Sequence, residues 1–252
     1  NSESTWEAIK SGVSGVDHIS AFDAEGFDVR IAAEVKGFEP TDYLDRKAAR
    51  RTDRFVQFAT AACREALSQA DLDLEKVDRY RVSALVGSGI GGIITLSDQY
   101  GVLESRGPSR VSPFLIPMML GDMASAQISM LTGALGPNIC LVSSCSSGAD
   151  AIGTASEMIR RDEMDIVLAG GSEAPICPIA NAGFASLRAL SRRNQCPQQA
   201  SRPFDSDRDG FVMGEGAGVV VLEEYEHALR RGAHISVSYT HLRAHETDSY
   251  LV

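Results

Sequence analysis

Segments with helical spacing of apolar residues alternate along this chain with short, continuous apolar runs. Apolar residues three and four positions apart indicate helices, whereas apolar runs of four to eight residues between turn signals indicate buried strands. The spacing predicts helices over residues 4–11, 48–70, 90–106, 118–132 and 149–160. The apolar runs predict strands over residues 81–87, 138–143, 164–170 and 218–223. Strands that alternate with helices predict an α/β fold with a layered sheet.

The composition agrees with a globular chain that buries a large core. The 252 residues are 44% hydrophobic and 23% charged, enough for one large domain or two small ones. No apolar run reaches the roughly 18 residues that a membrane helix needs, so we expect no membrane association. The five cysteines are odd in number and show no CxxC spacing, which argues against a disulfide scaffold or a metal site. Free thiols favour a reducing, cytoplasmic compartment.

The charge pattern bears on two classes of partner, nucleic acids and acidic proteins. A net charge of −10 argues against nucleic-acid binding. One segment opposes this acidic balance, because residues 46–54 (RKAARRTDR) contain five cations. A solvated helix face and a docking surface for an acidic partner explain this run equally well.

The segment around Cys145 carries the strongest chemical signal. The predicted strand 138–143 runs directly into small residues (SSCSSG, residues 143–148) and then into the predicted helix 149–160. A helix N-terminus favours a thiolate, and its backbone N–H groups can stabilise a developing oxyanion. A buried cysteine that packs as a weak hydrophobe explains the same spacing equally well. The other cysteines lack this context, and we expect them to be structural.

Two further motifs point less clearly to chemistry. GSGIGG at residues 87–92 matches GxGxxG, but no strand ending in an acidic residue follows about 20 residues later. We therefore expect a tight glycine turn beside a ligand channel. DSDRDG at residues 205–210 mimics a calcium loop, but Gly216 stands where the loop requires Glu. We expect a structural loop with its acids paired to Arg202 or Arg208, and surface positions for the histidines.

Six segments in order carry a specific family resemblance. They are GSGIGG at 87–92, GPSRVSPFLIPMML at 107–120, GPNICLVSSCSSGADAIG at 136–153, DIVLAGGSEAPICP at 165–178, AGFASLRALSRRN at 182–194 and SRPFDSDRDGFVMGEGAGVVVLEE at 201–224. Together they resemble the β-ketoacyl-[acyl-carrier-protein] synthases, closest to the synthase II type. The resemblance covers about residues 1–235.

The resemblance implies a fold and a reaction. The family has the thiolase-like fold, in which two similar halves stack as α-β-α-β-α layers, and it works as a homodimer. This chain would be the N-terminal half without its first strand. Cys145 would accept an acyl chain from acyl carrier protein, and the carbanion from decarboxylated malonyl-carrier protein would attack the thioester. The product would be a β-ketoacyl chain two carbons longer, and the chemistry requires no cofactor.

The resemblance also assigns residues to the acyl pocket and to the docking surface. Ile90 matches the end of the acyl pocket, and Phe184 matches an aromatic residue of its wall. Leu115 and Ile116 match residues that line the pocket from the opposing subunit. The carrier-protein docking cations would be Lys47, Arg50, Arg51 and Arg188. Because carrier proteins are acidic, this assignment favours the docking interpretation of the basic run.

The departures from the family pattern limit these expectations. Ser143 and Ser144 replace the usual Thr-Ala before the nucleophile. The family's two catalytic histidines, its lysine and its glycine-phenylalanine gate belong to the C-terminal half, so we expect these 252 residues to lack condensing activity. A polyketide ketosynthase and a non-catalytic chain-length subunit remain alternatives, although Cys145 argues against the latter. Residues 236–252 break from the pattern and suggest a non-native, adapter- or vector-derived tail, with a divergent natural terminus as the alternative.

Overall fold

The computed structural model describes residues 1–238, which fold around a mixed β-sheet. The strands are β1 (Asp17–His18), β2 (Ile31–Ala32), β3 (Val82–Gly87), β4 (Asn138–Ile139), β5 (Ile166–Glu173) and β6 (Gly216–Glu223). The helices are α1 (Ser2–Lys10), α2 (Arg46–Ala49), α3 (Arg54–Ala70), α4 (Ile93–Arg106), α5 (Leu115–Met119), α6 (Met123–Thr132), α7 (Ser147–Arg160), α8 (Pro178–Ser186) and α9 (Tyr225–Arg230). The alternation of strands and helices confirms the predicted α/β class.

The four-stranded sheet has the order β4-β3-β5-β6. Strand β3 runs parallel to β4 and β5, whereas β6 pairs antiparallel with β5. All six residues of β3 are buried, which explains why its sequence is a continuous apolar run rather than an alternating one. β1 and β2 form a separate antiparallel pair.

Helices cover both faces of the sheet. Ala84 and Val86 of β3 belong to a core cluster with residues of α3 and α6, including Phe55 and Ile128. Leu85, which points to the opposite face, packs with residues of α7. The described chain therefore contains an α-β-α unit, with α3 and α6 on one face and α7 on the other.

The predicted helix over residues 48–70 is wrong in one respect, because it is two helices. The backbone of Asp53 is extended (φ −70°, ψ 161°), and its side chain accepts a hydrogen bond from Phe55 N at the start of α3. The same carboxylate accepts hydrogen bonds from the amide and the hydroxyl of Thr95 on α4, at 2.9 and 2.6 Å. The basic run thus lies on α2, on the connection to α3 and on Arg54, the first residue of α3.

Other boundaries also differ from the sequence prediction. The predicted helix 118–132 is interrupted at Leu120, whose backbone is extended, and the predicted strand 138–143 pairs only through Asn138–Ile139. Helix α8 was not predicted, although Pro178 stands at its first turn, a common position for proline. The predicted tail, residues 236–252, falls mostly on residues 239–252, outside the described residues, and stays a prediction.

Candidate active site

A cleft of about 600 Å³ lies at the ends of β3, β5 and β6. Cys145, Ile90 and Phe184 all line it, so three residues distant in sequence meet at one cavity. The GSGIGG segment forms a turn in its wall, which confirms the expectation of a glycine turn beside a channel. The remaining lining residues are Gly87, Ser88, Gly89, Ser144, Ser147, Gly148, Gly171, Ser172, Glu173, Pro175, Phe211, Val212, Met213, Gly214, Gly216, Ala217 and Gly218.

Cys145 lies on a short 3₁₀ turn, Ser144–Ser146, immediately before α7. Its side chain is exposed. Ser144, the preceding residue, has a positive φ of 59°, which a residue with a side chain rarely adopts. The sharp turn therefore raises the thiol above the strand ends while keeping it at the N-terminus of a 14-residue helix, whose dipole favours negative charge.

Ser147, the first residue of α7, stabilises this turn through two hydrogen bonds. Its side chain is buried, donates a hydrogen bond to Ser144 O at 2.7 Å and accepts one from Ser143 N at 3.0 Å. Ser143 Oγ also hydrogen-bonds Asp150 Oδ2. The second half of the SSCSSG motif therefore supports the turn that carries Cys145, a role that was not predicted from the sequence.

Glycines let α7 approach the sheet closely beneath Cys145. Gly87, Gly171 and Gly218 lie side by side on β3, β5 and β6. A Cβ atom added to Gly87 would lie 2.3 Å from Ser147 O, and one added to Gly171 would lie 3.0 Å from Gly148 Cα. Because the 2.3 Å distance to backbone leaves no room for a side chain at Gly87, this glycine fixes the height of the turn over the sheet.

Two aromatic rings form part of the cleft wall. Phe184 packs edge-to-face against Phe211, with ring centroids 5.6 Å apart. Phe211 was not singled out from the sequence, because it lies in the loop-rich segment that resembles a calcium loop. The apolar wall, together with an exposed thiol, suits an extended hydrocarbon chain attached through a thioester.

The other cysteines differ from Cys145 in position and environment. Cys63 is buried in the core, where burial raises the pKa of its thiol to about 12. Burial also raises the pKa of Cys140 and of Cys177. Cys196 is exposed but lines a different surface depression, next to His18. Cys145 is thus the cysteine of the described residues that faces the cleft.

The remaining predicted pocket residues lie elsewhere. Leu115 and Ile116 belong to α5 and do not line the cleft of their own chain, and Ile116 is 59% exposed. This placement leaves open the role that the resemblance implies for them in an opposing subunit, which stays a prediction.

The basic segment divides into an exposed part and an inward-facing residue. Lys47, Arg50 and Arg51 are exposed, and the Arg51 guanidinium lies 4.2 Å from the centre of the Phe114 ring. Arg54 instead binds the buried Glu215 carboxylate through two hydrogen bonds of 2.9 and 2.7 Å. Arg188, just after α8, is exposed. Exposed cations without a buried ion-pair partner remain accessible to an acidic surface.

The candidate calcium loop is a structural loop, as expected. Asp205 pairs with Arg202 at 2.8 Å and accepts a hydrogen bond from the amide of Asp207. Within residues 1–238, no group of three or more His, Cys, Asp and Glu side chains is arranged to hold a metal ion. In the same part of the chain, no helix is both long and apolar enough to cross a bilayer.

Comparisons with known proteins agree with this geometry. Residues 1–228 match the sequence profile described as "Beta-ketoacyl synthase, N-terminal domain". The 3-oxoacyl-[acyl-carrier-protein] synthase 2 of a Synechocystis strain is 48% identical over 230 residues, covering 91% of this chain and 55% of the relative. The chain spans little more than half the length of the curated relatives it matches.

Two solved structures share the fold. The ishigamide ketosynthase/chain length factor superposes with a TM-score of 0.84 at 31% identity, covering 92% of this chain and 56% of the other. A complex of a type II polyketide acyl-carrier protein with its ketosynthase gives a TM-score of 0.68 at 28% identity, covering 80% and 55%. These likenesses confirm the thiolase-like ketosynthase fold. The chain, with its cysteine on a glycine-supported turn before α7, belongs to the β-ketoacyl synthase family.

Proposed function

We propose that this chain carries the acyl-accepting half of a 3-oxoacyl-[acyl-carrier-protein] synthase of fatty-acid elongation. The observation that carries the proposal is the meeting of Cys145, Ile90 and Phe184 at one apolar cleft. The 48% identity to a 3-oxoacyl-[acyl-carrier-protein] synthase 2 supports the same reaction class.

The site geometry supports a first step in which Cys145 accepts an acyl group. The Cys145 thiolate attacks the carbonyl carbon of an acyl thioester, and the carbon–sulfur bond to the donor breaks. The donor leaves as a thiolate that takes up a proton, and the acyl chain remains on Cys145 as a new thioester. The N-terminus of α7 stabilises the thiolate before attack, and the cleft wall receives the hydrocarbon chain.

The second step requires groups that this site does not supply. Malonyl-carrier protein would lose CO2, and the resulting carbanion would attack the acyl group on Cys145. His18, His227 and His234 are the histidines of the described residues, and none of them lines the cleft. We therefore expect these 252 residues to accept an acyl group without elongating it.

We assign the exposed cations Lys47, Arg50, Arg51 and Arg188 to the docking of acyl carrier protein. The complex of a related ketosynthase with its acyl-carrier protein supports this class of partner. The homodimer and the cytoplasmic location implied by the resemblance belong to the same proposal, and the free cysteines support a reducing compartment.

A comparison of two acyl donors tests the docking assignment. Lys47→Glu combined with Arg50→Glu should slow acylation by acyl-loaded carrier protein roughly tenfold, because electrostatic steering raises association rates by about tenfold or more. Acylation by the small donor acyl-N-acetylcysteamine should be unchanged. The matched control, Lys10→Glu with Lys76→Glu, makes the same charge change at other exposed positions. The assignment would be refuted if Lys47→Glu with Arg50→Glu slowed acylation equally with both donors. It would also be refuted if the control pair slowed acylation by acyl-loaded carrier protein to the same extent.

A polyketide ketosynthase is the second candidate, supported by the likeness to the ishigamide ketosynthase/chain length factor. The two candidates differ in the acyl group that Cys145 accepts. A fatty-acid enzyme should load saturated acyl chains faster than β-ketoacyl chains of the same length, and a polyketide enzyme should show the reverse order.

A further inference from the structure

Glu173 is a carboxylate in the wall of the active-site cleft to which the proposed reaction gives no role. It is the last residue of β5, and it lines the cleft together with Cys145. Its Oε2 accepts a hydrogen bond from Gly89 N at 2.6 Å, and its Oε1 accepts from Ser88 Oγ at 2.9 Å and from Ile90 N at 3.3 Å. Within residues 1–238, its hydrogen-bond partners therefore come from one turn, and none is a cation.

The turn is built closely around this carboxylate. Ser88 is buried, and its hydroxyl also accepts a hydrogen bond from Gly91 N at 3.0 Å. A Cβ atom added to Gly89 would lie 2.9 Å from Glu173 Oε2, so the carboxylate would have to move away from the turn. Gly91 has a positive φ of 67°. The carboxylate thus organises three successive residues, because it accepts a hydrogen bond from each of Ser88, Gly89 and Ile90.

Ile90 is the large apolar side chain that this turn presents to the cleft. Its amide is one of the groups held by Glu173, so the carboxylate fixes the backbone from which the Ile90 side chain projects. On the other side, a Cβ atom at Gly89 would be 3.4 Å from Ser144 O, next to the nucleophile. A shift of the turn would therefore change the space between Ile90 and Cys145.

We propose that Glu173 is a positioning residue that sets the acyl-chain length accepted at Cys145, by fixing the Ser88–Ile90 turn in the cleft wall. The proposal rests on the proposed acyl transfer to Cys145. An apolar cleft distinguishes chains by the methylene groups it can bury, each worth about a fourfold change in affinity. A wall residue that is held firmly therefore sharpens the length preference, and one that is released admits longer chains.

A competition experiment tests this role. The 252-residue chain is incubated with an equimolar mixture of octanoyl-, dodecanoyl- and hexadecanoyl-N-acetylcysteamine, and the acyl groups on the intact protein are measured by mass. Glu173→Gln places an amide N–H₂ against backbone donors and should raise the hexadecanoyl-to-octanoyl ratio by roughly fivefold, the factor of about one hydrogen bond. Ser88→Ala should shift the ratio in the same direction by a smaller factor. Glu104→Gln, at an exposed position on α4, should leave it unchanged.

The ratio does not depend on the fraction of folded protein, because every acyl group counted is on a competent molecule. A wild-type chain that accepts no acyl group would overturn the proposed function, and this role for Glu173 with it. A wild-type chain that loads acyl groups, with Glu173→Gln and Ser88→Ala giving the wild-type ratio, would overturn the role of Glu173 alone. If Glu173→Gln carries no acyl group, the ratio in Ser88→Ala is used instead. A raised hexadecanoyl-to-octanoyl ratio supports the role of Glu173, and the wild-type ratio overturns it.

Discussion

Substitution of Gly87 by alanine should displace the nucleophile without touching it. The added Cβ atom would lie 2.3 Å from Ser147 O, 2.4 Å from Ser147 C and 2.8 Å from Ser147 Cβ. Contacts between such atoms are ordinarily about 3.5 Å or longer, so the turn and the sheet must separate by about 1 Å. Gly87 is paired in register with Gly171, which limits movement on the sheet side.

The expected consequence is slower acyl transfer at Cys145. A misplacement of about 1 Å at a reacting group costs about a hundredfold in rate. Overpacking a tight site also destabilises a fold by about 1–3 kcal/mol, which thermal unfolding measures separately. The assay is the rate at which Cys145 is acylated by acyl-N-acetylcysteamine, followed by mass spectrometry. Alkylation of the exposed Cys196 serves as an internal reference for thiol reactivity in the same sample.

Gly101→Ala is the matched control for this experiment. Gly101 lies in α4, and an added Cβ atom would meet nothing within 4 Å. Alanine there should leave acylation unchanged and stabilise the helix by up to about 1 kcal/mol. A Gly87→Ala protein that folds and acylates at the wild-type rate would refute the claim that Gly87 sets the height of the turn that carries Cys145.

The remaining predictions concern pH and thiol chemistry. The hydrogen bond from Arg81 holds the pKa of Asp165 below its ordinary value of 3.8, so this pair stabilises the fold above that pH and the effect is lost as pH falls through the folded pKa. Arg81→Met should therefore lower the midpoint temperature of thermal unfolding at neutral pH. The difference in midpoint between the variant and the wild type should disappear in acid, and a difference that stays constant down to strong acid would contradict this. In native protein at neutral pH, iodoacetamide should modify Cys145 and Cys196 and spare Cys63, whose pKa burial raises to about 12. Peptide mapping measures this order, and rapid modification of Cys63 would show that its core position is wrong.

The turn that carries Cys145 could be predicted from the sequence because its signals are local. A strand, a run of small residues and a helix follow one another around Cys145, and the resemblance to the family favours a nucleophile over a packing cysteine. The buried strand β3 was equally readable as a continuous apolar run. In both cases the information lies within a few residues of the feature.

The parts that sequence did not predict depend on contacts between distant residues. The break between α2 and α3 is stabilised by Asp53, which accepts hydrogen bonds from Thr95 on another helix. Glu173 bonds a turn more than 80 positions earlier, at Ser88 to Ile90. No local pattern marks these pairings, because Asp and Glu side chains are mostly found at exposed positions and need no such partner there.

Cys145 is the proposed acyl acceptor, and the location of a single acyl group among the five cysteines tests this proposal. The wild-type chain would be incubated with less than one equivalent of acyl-loaded carrier protein and then digested. The peptides that contain the five cysteines would be mapped by mass spectrometry. We predict that the acyl group lies on the peptide that contains Cys145. Cys145→Ala should not be acylated, whereas Cys196→Ala should be loaded like the wild type. An acyl group distributed between Cys145 and Cys196, or retained in Cys145→Ala, would contradict it.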